Sequence, residues 1–219
     1  IGTPGSSYID RYGCTDTDND GYSDPGAGWT TANGADAFIN EPTQWVDQDG
    51  DGYGDNPGGV NADNCPITFG TSNQLGNLGC PDGDGDGYAD GDDLFPSDST
   101  QWEDVDNDGF GDNPAGNNPD ACTTIVGTST IDRFGCPDTD GDGYSDGDGG
   151  WTIANGADEW PNDPTQWEDD DEDGYGDNPL GTDGDACPGV YGESFRDRLG
   201  CPDTDGDGFS DPDSGWTTS

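Results

Sequence analysis

Asp16-Thr17-Asp18-Asn19-Asp20-Gly21-Tyr22-Ser23-Asp24 is the stretch on which the reading of this chain turns. It places Asp at positions 1, 3, 5 and 9, Gly at position 6 and an aromatic ring at position 7, and the same register occurs seven times. The second copy has Asp47, Asp49, Asp51 and Asp55 around Tyr53, and the third has Asp82, Asp84, Asp86 and Asp90 around Tyr88. Asp104, Asp106, Asp108 and Asp112 with Phe110 follow, then Asp138, Asp140, Asp142 and Asp146 with Tyr144. The last two are Asp169, Asp171, Asp173 and Asp177 with Tyr175, and Asp203, Asp205, Asp207 and Asp211 with Phe209. A solvated acidic tail has no reason to keep such a register, so the chain is read as a repeat array.

The copies alternate between two kinds. One follows a Gly-Cys pair (Cys14, Cys80, Cys136, Cys201) and has Ser or Ala at position 8. The other follows Thr-Gln-Trp (Trp45, Trp102, Trp167), has Gly at position 8 and continues as Asp-Asn-Pro. Between a loop of the first kind and the next Thr-Gln-Trp lies a further acid: Asp36, Asp93 or Asp158. Asp36 and Asp158 stand beyond a nine-residue insert that Asp93 lacks; the inserts carry Trp29 and Trp151, and Trp216 begins another. After loops of the second kind the corresponding acids are Asp63, Asp120 and Asp185, each two residues before a Cys. Segments poor in acid, Cys65–Cys80, Cys122–Cys136 and Cys187–Cys201, then close each unit. The organisation is a partial repeat at 1–14, units at 15–80, 81–136 and 137–201, and a partial repeat at 202–219.

Composition narrows the chemistry. Of 219 residues 50 are acidic and 4 basic, for a net charge of −46; His and Met are absent, and every basic residue is Arg. Aliphatic residues are too few for an ordinary core, and such a chain is either disordered or folded by cations. Nucleic acid and anionic membranes are excluded as partners because both call for Lys/Arg patches, and no apolar run is long enough to span a bilayer. Catalysis has little to work with: the carboxylates are committed as ligands, and there is no His, Lys or nucleophile elbow.

Alternate Asp residues at 1, 3 and 5 converge only if the backbone wraps around an ion. Gly at 6 permits the sharp turn, after which the carbonyl of position 7 faces inward and its ring faces away. Calcium, a hard cation taking six to eight oxygens, suits this donor set, with position 9 and the distal acids completing it. At least one Ca²⁺ per loop is expected, and two are compatible with the carboxylate count. The loop is the first part of an EF-hand, but no amphipathic helix flanks it.

With the following Asp63-Asn64-Cys65-Pro66, the motif resembles thrombospondin type 3 repeats; the Phe95-Pro96-Ser97-Asp98-Ser99-Thr100-Gln101-Trp102 linker is similar to repeats in large secreted microbial surface proteins. The resemblance covers nearly the whole chain. It implies an irregular, calcium-templated repeat array with little regular secondary structure, wrapped around a row of ions. The nine-residue inserts and the long Cys-to-Cys segments depart from the family, so its higher-order shape is not carried over.

Seven Cys in an acidic, Lys-free chain suit an oxidising, extracellular or cell-surface setting. Disulfides are expected at Cys65–Cys80, Cys122–Cys136 and Cys187–Cys201, since neither His nor CxxC supports a thiolate metal site. Cys14 is left over; its partner either precedes Ile1, making the sequence a window of a longer array, or belongs to a neighbouring subunit. The functional expectation is an extracellular structural protein: an elongated, calcium-stabilised, disulfide-stapled rod forming a stalk, appendage or fibril, self-associating linearly or continuing in a longer chain. The alternative is a calcium-dependent adhesion module that contacts glycans or a surface partner through Trp29, Trp151 and Trp216; an acidic calcium buffer is a third reading. Glycans of the chain's own would be O-linked, as no N-x-[ST] sequon occurs.

Overall fold

The computed structural model describes residues 5–213. Its chain divides into two compact units, Ile1–Glu103 and Asp104–Ser219. Proline and glycine punctuate both, and almost no regular secondary structure forms. Among the described residues there are two single 3-10 turns, Thr31–Asn33 and Ile153–Asn155, and three isolated bridges, Gly26 to Trp29, Gly54 to Ala62 and Asp146 to Asp158.

Backbone polar groups that would pair in helices or sheets must find other partners, and here side-chain carboxylates and short turns supply them. The amide of position 9 closes the turn: Asp24 N donates to Thr15 O at 2.8 Å, and equivalent bonds recur from Asp55, Asp90, Asp146, Asp177 and Asp211. The Cys-to-Cys segments form tight double-backs. Ser72 N donates to Cys80 O, Ser129 N to Cys136 O and Ser194 N to Cys201 O, each at 3.1 Å. Each segment then holds the next loop by the carbonyl of its position-6 Gly, as Thr130 N and Ile131 N both donate to Gly143 O.

The core is polar. Among the described residues the buried apolar ones are three alanines (Ala35, Ala89, Ala157) and three cysteines (Cys80, Cys136, Cys201), whereas the largest fully buried side chains are Gln44, Gln101 and Gln166. Ile67, Leu75 and Leu180 are largely exposed. Hydrophobic burial therefore contributes little to holding this fold, and cross-links and polar brackets carry more of it. The three disulfides are Cys65–Cys80, Cys122–Cys136 and Cys187–Cys201, with Cα separations of 5.0, 5.0 and 5.1 Å. Cys14 is half-buried and carries no disulfide. Disulfide stapling of this kind is typical of secreted proteins, and among the described residues no helix is long and apolar enough to cross a membrane.

Candidate metal centres

The repeated tetrad folds into the same turn each time. The first Asp binds two amides of its own loop: Asp138 Oδ1 accepts from Gly141 N at 2.7 Å and Oδ2 from Gly143 N at 3.0 Å. Asp140 Oδ1 accepts from Asp142 N at 3.2 Å, and Asp142 Oδ1 from Tyr144 N at 2.8 Å. These local bonds spend one oxygen of positions 3 and 5; at position 5 of the second kind of loop the other accepts from the Cys-to-Cys segment, as Asp108 Oδ2 does from Gly127 N at 2.9 Å and Asp51 and Asp173 do from Gly70 and Gly192. Asp16/Asp18/Asp20, Asp47/Asp49/Asp51, Asp82/Asp84/Asp86, Asp104/Asp106/Asp108 and Asp138/Asp140/Asp142 each bring three carboxylate oxygens within 4.8 Å of one another.

Position 6 lies at φ 88–104° in all seven loops, the left-handed region that glycine occupies without strain. Position 4 is left-handed as well and holds Asn19, Gly50, Gly85, Asn107, Gly141, Glu172 and Gly206. Sequence reasoning passed over position 4, although Asn or Gly at six of the seven copies was the available signal.

The distal acids join the loops through one recurring bond. Asp158 N donates to Ser145 O at 3.0 Å, Asp93 N to Ala89 O at 3.0 Å and Asp63 N to Gly54 O at 2.8 Å; Asp36, Asp120 and Asp185 pair with Ser23, Gly111 and Gly176 in the same way. All six thus hang on the carbonyl of position 8. Their Oδ1 atoms accept from the amide two residues on, as Asp185 Oδ1 does from Cys187 N at 2.7 Å. In Asp36, Asp63, Asp120, Asp158 and Asp185 the Oδ2 atom is buried without a partner, and Asp36 and Asp185 are themselves 1% and 0% exposed. The second oxygens of Asp18, Asp49, Asp84, Asp106, Asp140 and Asp171 at position 3, and of Asp20, Asp86 and Asp142 at position 5, are orphaned likewise.

Burial pushes the six distal carboxyls up from the usual carboxylate range, and neighbouring charges add to it against the pull of the backbone amide. Asp158 is raised to about 7, with Asp142, Asp140 and Asp146 beside it. Asp36, Asp120 and Asp185 are raised to about 6, each by burial first and then by positions 5, 3 and 9 of its own loop. Asp63 and Asp93 are raised for the same reasons. Buried anionic oxygens that lack donors and repel one another fit a hard divalent cation, whose charge and oxygen preference answer both deficits.

Three supports hold this arrangement. Thr-Gln-Trp supplies a bracket: Gln44 Nε2 donates to Asn56 O (3.0 Å) and Val60 O (3.2 Å), and Gln44 Oε1 accepts from Asn56 N (2.9 Å). Gln166 does the same with Asn178 and Thr182. That explains the Gly at position 8 of the second kind of loop, because a Cβ on Gly54 or Gly176 would lie 2.2 or 2.1 Å from the glutamine Oε1. Loops of the first kind have no glutamine there. Instead Ser23 and Ser145 bind Asp10 and Asp132 through both amide and hydroxyl, and Ser210 binds Asp197. In three of the four Gly-Cys pairs the Gly packs on a distal acid: a Cβ on Gly79 would meet Asp63 Oδ1 at 2.3 Å, one on Gly135 would meet Asp120 Oδ1 at 2.3 Å and one on Gly200 would meet Asp185 Oδ1 at 2.2 Å, whereas Gly13 has nothing within 4 Å. Neither the glutamine bracket nor the serine clasp was foreseen, since both join residues far apart in sequence.

The rings at position 7 pack as their outward direction suggests. Tyr22, Tyr88 and Tyr144 stack on Trp45, Trp102 and Trp167 at 5.1–5.2 Å and 7–9°, and Phe110 lies tilted against Phe134. Trp29 and Trp151, the insert residues read as possible glycan or partner contacts, are half-buried. The guanidinium of Arg11 lies over Trp29 at 5.2 Å and that of Arg133 over Trp151 at 5.3 Å, and both indole nitrogens are buried. Trp216 lies outside the described residues. No protein-family model matches the chain, and no curated protein matches it.

Proposed function

We propose that this is an extracellular structural protein of the thrombospondin type 3 kind, a calcium-stabilised repeat array that serves as a stalk, appendage or fibril segment. The observation that carries the reading is the buried Oδ2 of five distal aspartates, each without a hydrogen-bond donor and each beside the inward oxygens of a loop. A chain with so small an apolar core does not gain by burying bare carboxylates unless a cation sits among them. Positions 1, 3, 5 and 9 with the distal Asp would hold Ca²⁺, which would supply charge neutralisation and the folding free energy that hydrophobic burial lacks. Even two ions in every loop leave the net charge negative, which keeps such an array soluble.

Successive units that repeat one local geometry suit a mechanical role better than a catalytic one. Sugar contact through Trp29 and Trp151 has less support, because an arginine covers a face of each ring. The test is calcium titration of the EGTA-stripped chain followed by hydrogen exchange and electron microscopy. Cooperative gain of amide protection with calcium, and elongated particles in native material, are the expected results. Protection that survives EGTA, or compact isolated particles, would overturn the reading.

A further inference from the structure

A cleft of about 650 Å³ opens in the Asp104–Ser219 unit between the Trp151 insert and the loop starting at Asp169. One wall is the stacked Tyr144–Trp167 pair with Ile153 beside it; Asp169 of the tetrad reaches the cleft, and Glu159, Glu168, Asp170 and Glu172 line it as well. None of these four acids belongs to the tetrads or to the distal set.

The Ile1–Glu103 unit provides an internal control. Aligned through its own insert, Tyr22 and Trp45, the four matching positions are Ala37, Val46, Gln48 and Gly50. The Tyr22–Trp45 stack forms there with the same geometry, at 5.2 Å and 8°. The fold therefore does not require the four charges, and neither do the loops. Glu172 even occupies a left-handed position (φ 60°) where the other loops have Asn or Gly.

Volume, apolar wall and charge together describe a ligand. The volume is in the range of small-molecule sites. Several carboxylates around one cleft ask for more than one positive charge, and an aromatic and aliphatic wall asks for hydrocarbon and for a cation that can face a ring. An inorganic ion would use the oxygens and leave the wall without a partner. We propose that this cleft binds an aliphatic polyamine, with its ammonium groups at Glu159, Glu168, Asp170 and Glu172 and its methylene stem along Tyr144, Trp167 and Ile153.

The proposal goes beyond the calcium reading and is tested separately from it. The full chain, with its calcium content measured and calcium in excess, is titrated with spermidine at physiological salt by calorimetry, while the Trp167 indole signal is followed by NMR. Saturable binding of about one spermidine per chain is expected, as the cleft on the Tyr88–Trp102 stack is smaller, about 240 Å³, and carries two acids, Asp92 and Glu103, against four here. The variant E159A/E168V/D170Q/E172G puts the residues of the sister cleft into this one and should bind at least about tenfold more weakly with calcium content unchanged. The variant E159Q/E168Q/D170N, which keeps side-chain size, should weaken it in the same direction. Absence of saturable binding, equal affinity in the variants, displacement by added calcium, or tighter binding of a trilysine peptide than of spermidine would each overturn the proposal. Loss of calcium content in the wild-type chain would instead count against the calcium reading.

Discussion

Loops Asp82–Asp90 and Asp138–Asp146 reach their distal acids by different routes. In the first, Asp93 follows after three residues, and in the second Asp158 follows after an insert that includes a 3-10 turn. Both acids nevertheless hang on the carbonyl of position 8 at 3.0 Å, and both loops stack position 7 on the following Trp. The insert is thus looped out at a fixed doorway, which the Asp146–Asp158 bridge closes.

What changes between them is the dressing. The insert-bearing loop has Ser145 clasped by Asp132, and Arg133 laid over Trp151 and paired with Asp148 at 2.9 Å. The loop without an insert has Ala89, Leu75 and Asn77 at those places, and Asn77 turns to Asp92 instead. Arg, Asp and Ser come and go with the insert, while the carboxylate frame stays. The frame is therefore one module and the insert with its clasp another.

Removing metal should give the largest effect and should not distinguish the two loops. EGTA is expected to abolish slow hydrogen exchange in both 82–93 and 138–158, whereas survival of one alone would separate frames that the structure makes equivalent. Acidification should partly replace the cation. Asp158 is held near 7 and Asp36 near 6 against 3.8, mainly by burial, so the folded chain binds more protons than the unfolded one. In calcium-free solution this contribution to stability is complete below pH 3.8 and is lost as pH rises through 6 to 7. Calcium added to the chain refolded by acid should accordingly release protons, detectable as buffer-dependent heats of binding; no release from that folded state would contradict the burial of Asp36 and Asp158.

Opening a staple comes next. Cys122→Ser with Cys136→Ser should cost about 3 kcal/mol, the loop-closure estimate for a segment of this length, read by denaturant unfolding of the calcium-loaded chain. Because Thr130 and Ile131 hold Gly143, amide exchange in the 138–158 loop should quicken before that in 82–93. Gln166→Ala should cost about 2 kcal/mol by leaving buried backbone groups unpaired, with the effect centred on 176–182. Smallest is the dressing itself. Arg133→Asn, which copies Asn77, should cost about 0.5–1 kcal/mol because the ion pair is partly solvated and one ring contact is lost. Asn77→Arg should gain nothing measurable in thermal unfolding, since no insert Trp faces it. A gain there would break the link between arginine and insert.

The Asp register, the Gly at position 6 and the Cys spacing were readable directly, because each is a local requirement: a turn of a given hand, a donor at a given offset, a reachable thiol. The stacking of Tyr144 on Trp167 was readable only as a direction, away from the loop. Its partner had to be found 23 residues further on. Gln44 and Gln166 were hidden in the Thr-Gln-Trp signature, where the tryptophan drew attention as the larger and rarer side chain. Only their burial and their bonds across 12 and 16 residues show that the glutamine is the bracket and the reason for Gly54 and Gly176.

The linear order of residues by itself determined that one Asp-rich turn would recur along the chain and that three staples would follow, since both depend on spacings of a few residues along one backbone. Only the tertiary structure decided that all six distal acids share one anchor, the carbonyl of position 8, whether or not an insert intervenes. That choice rests on which buried amide meets which free carbonyl, a pairing that no spacing along the chain specifies. The same holds for Glu159, Glu168, Asp170 and Glu172. Along the chain they are four more charges among fifty acids, and folding around Tyr144 and Trp167 makes them the rim of a single cleft.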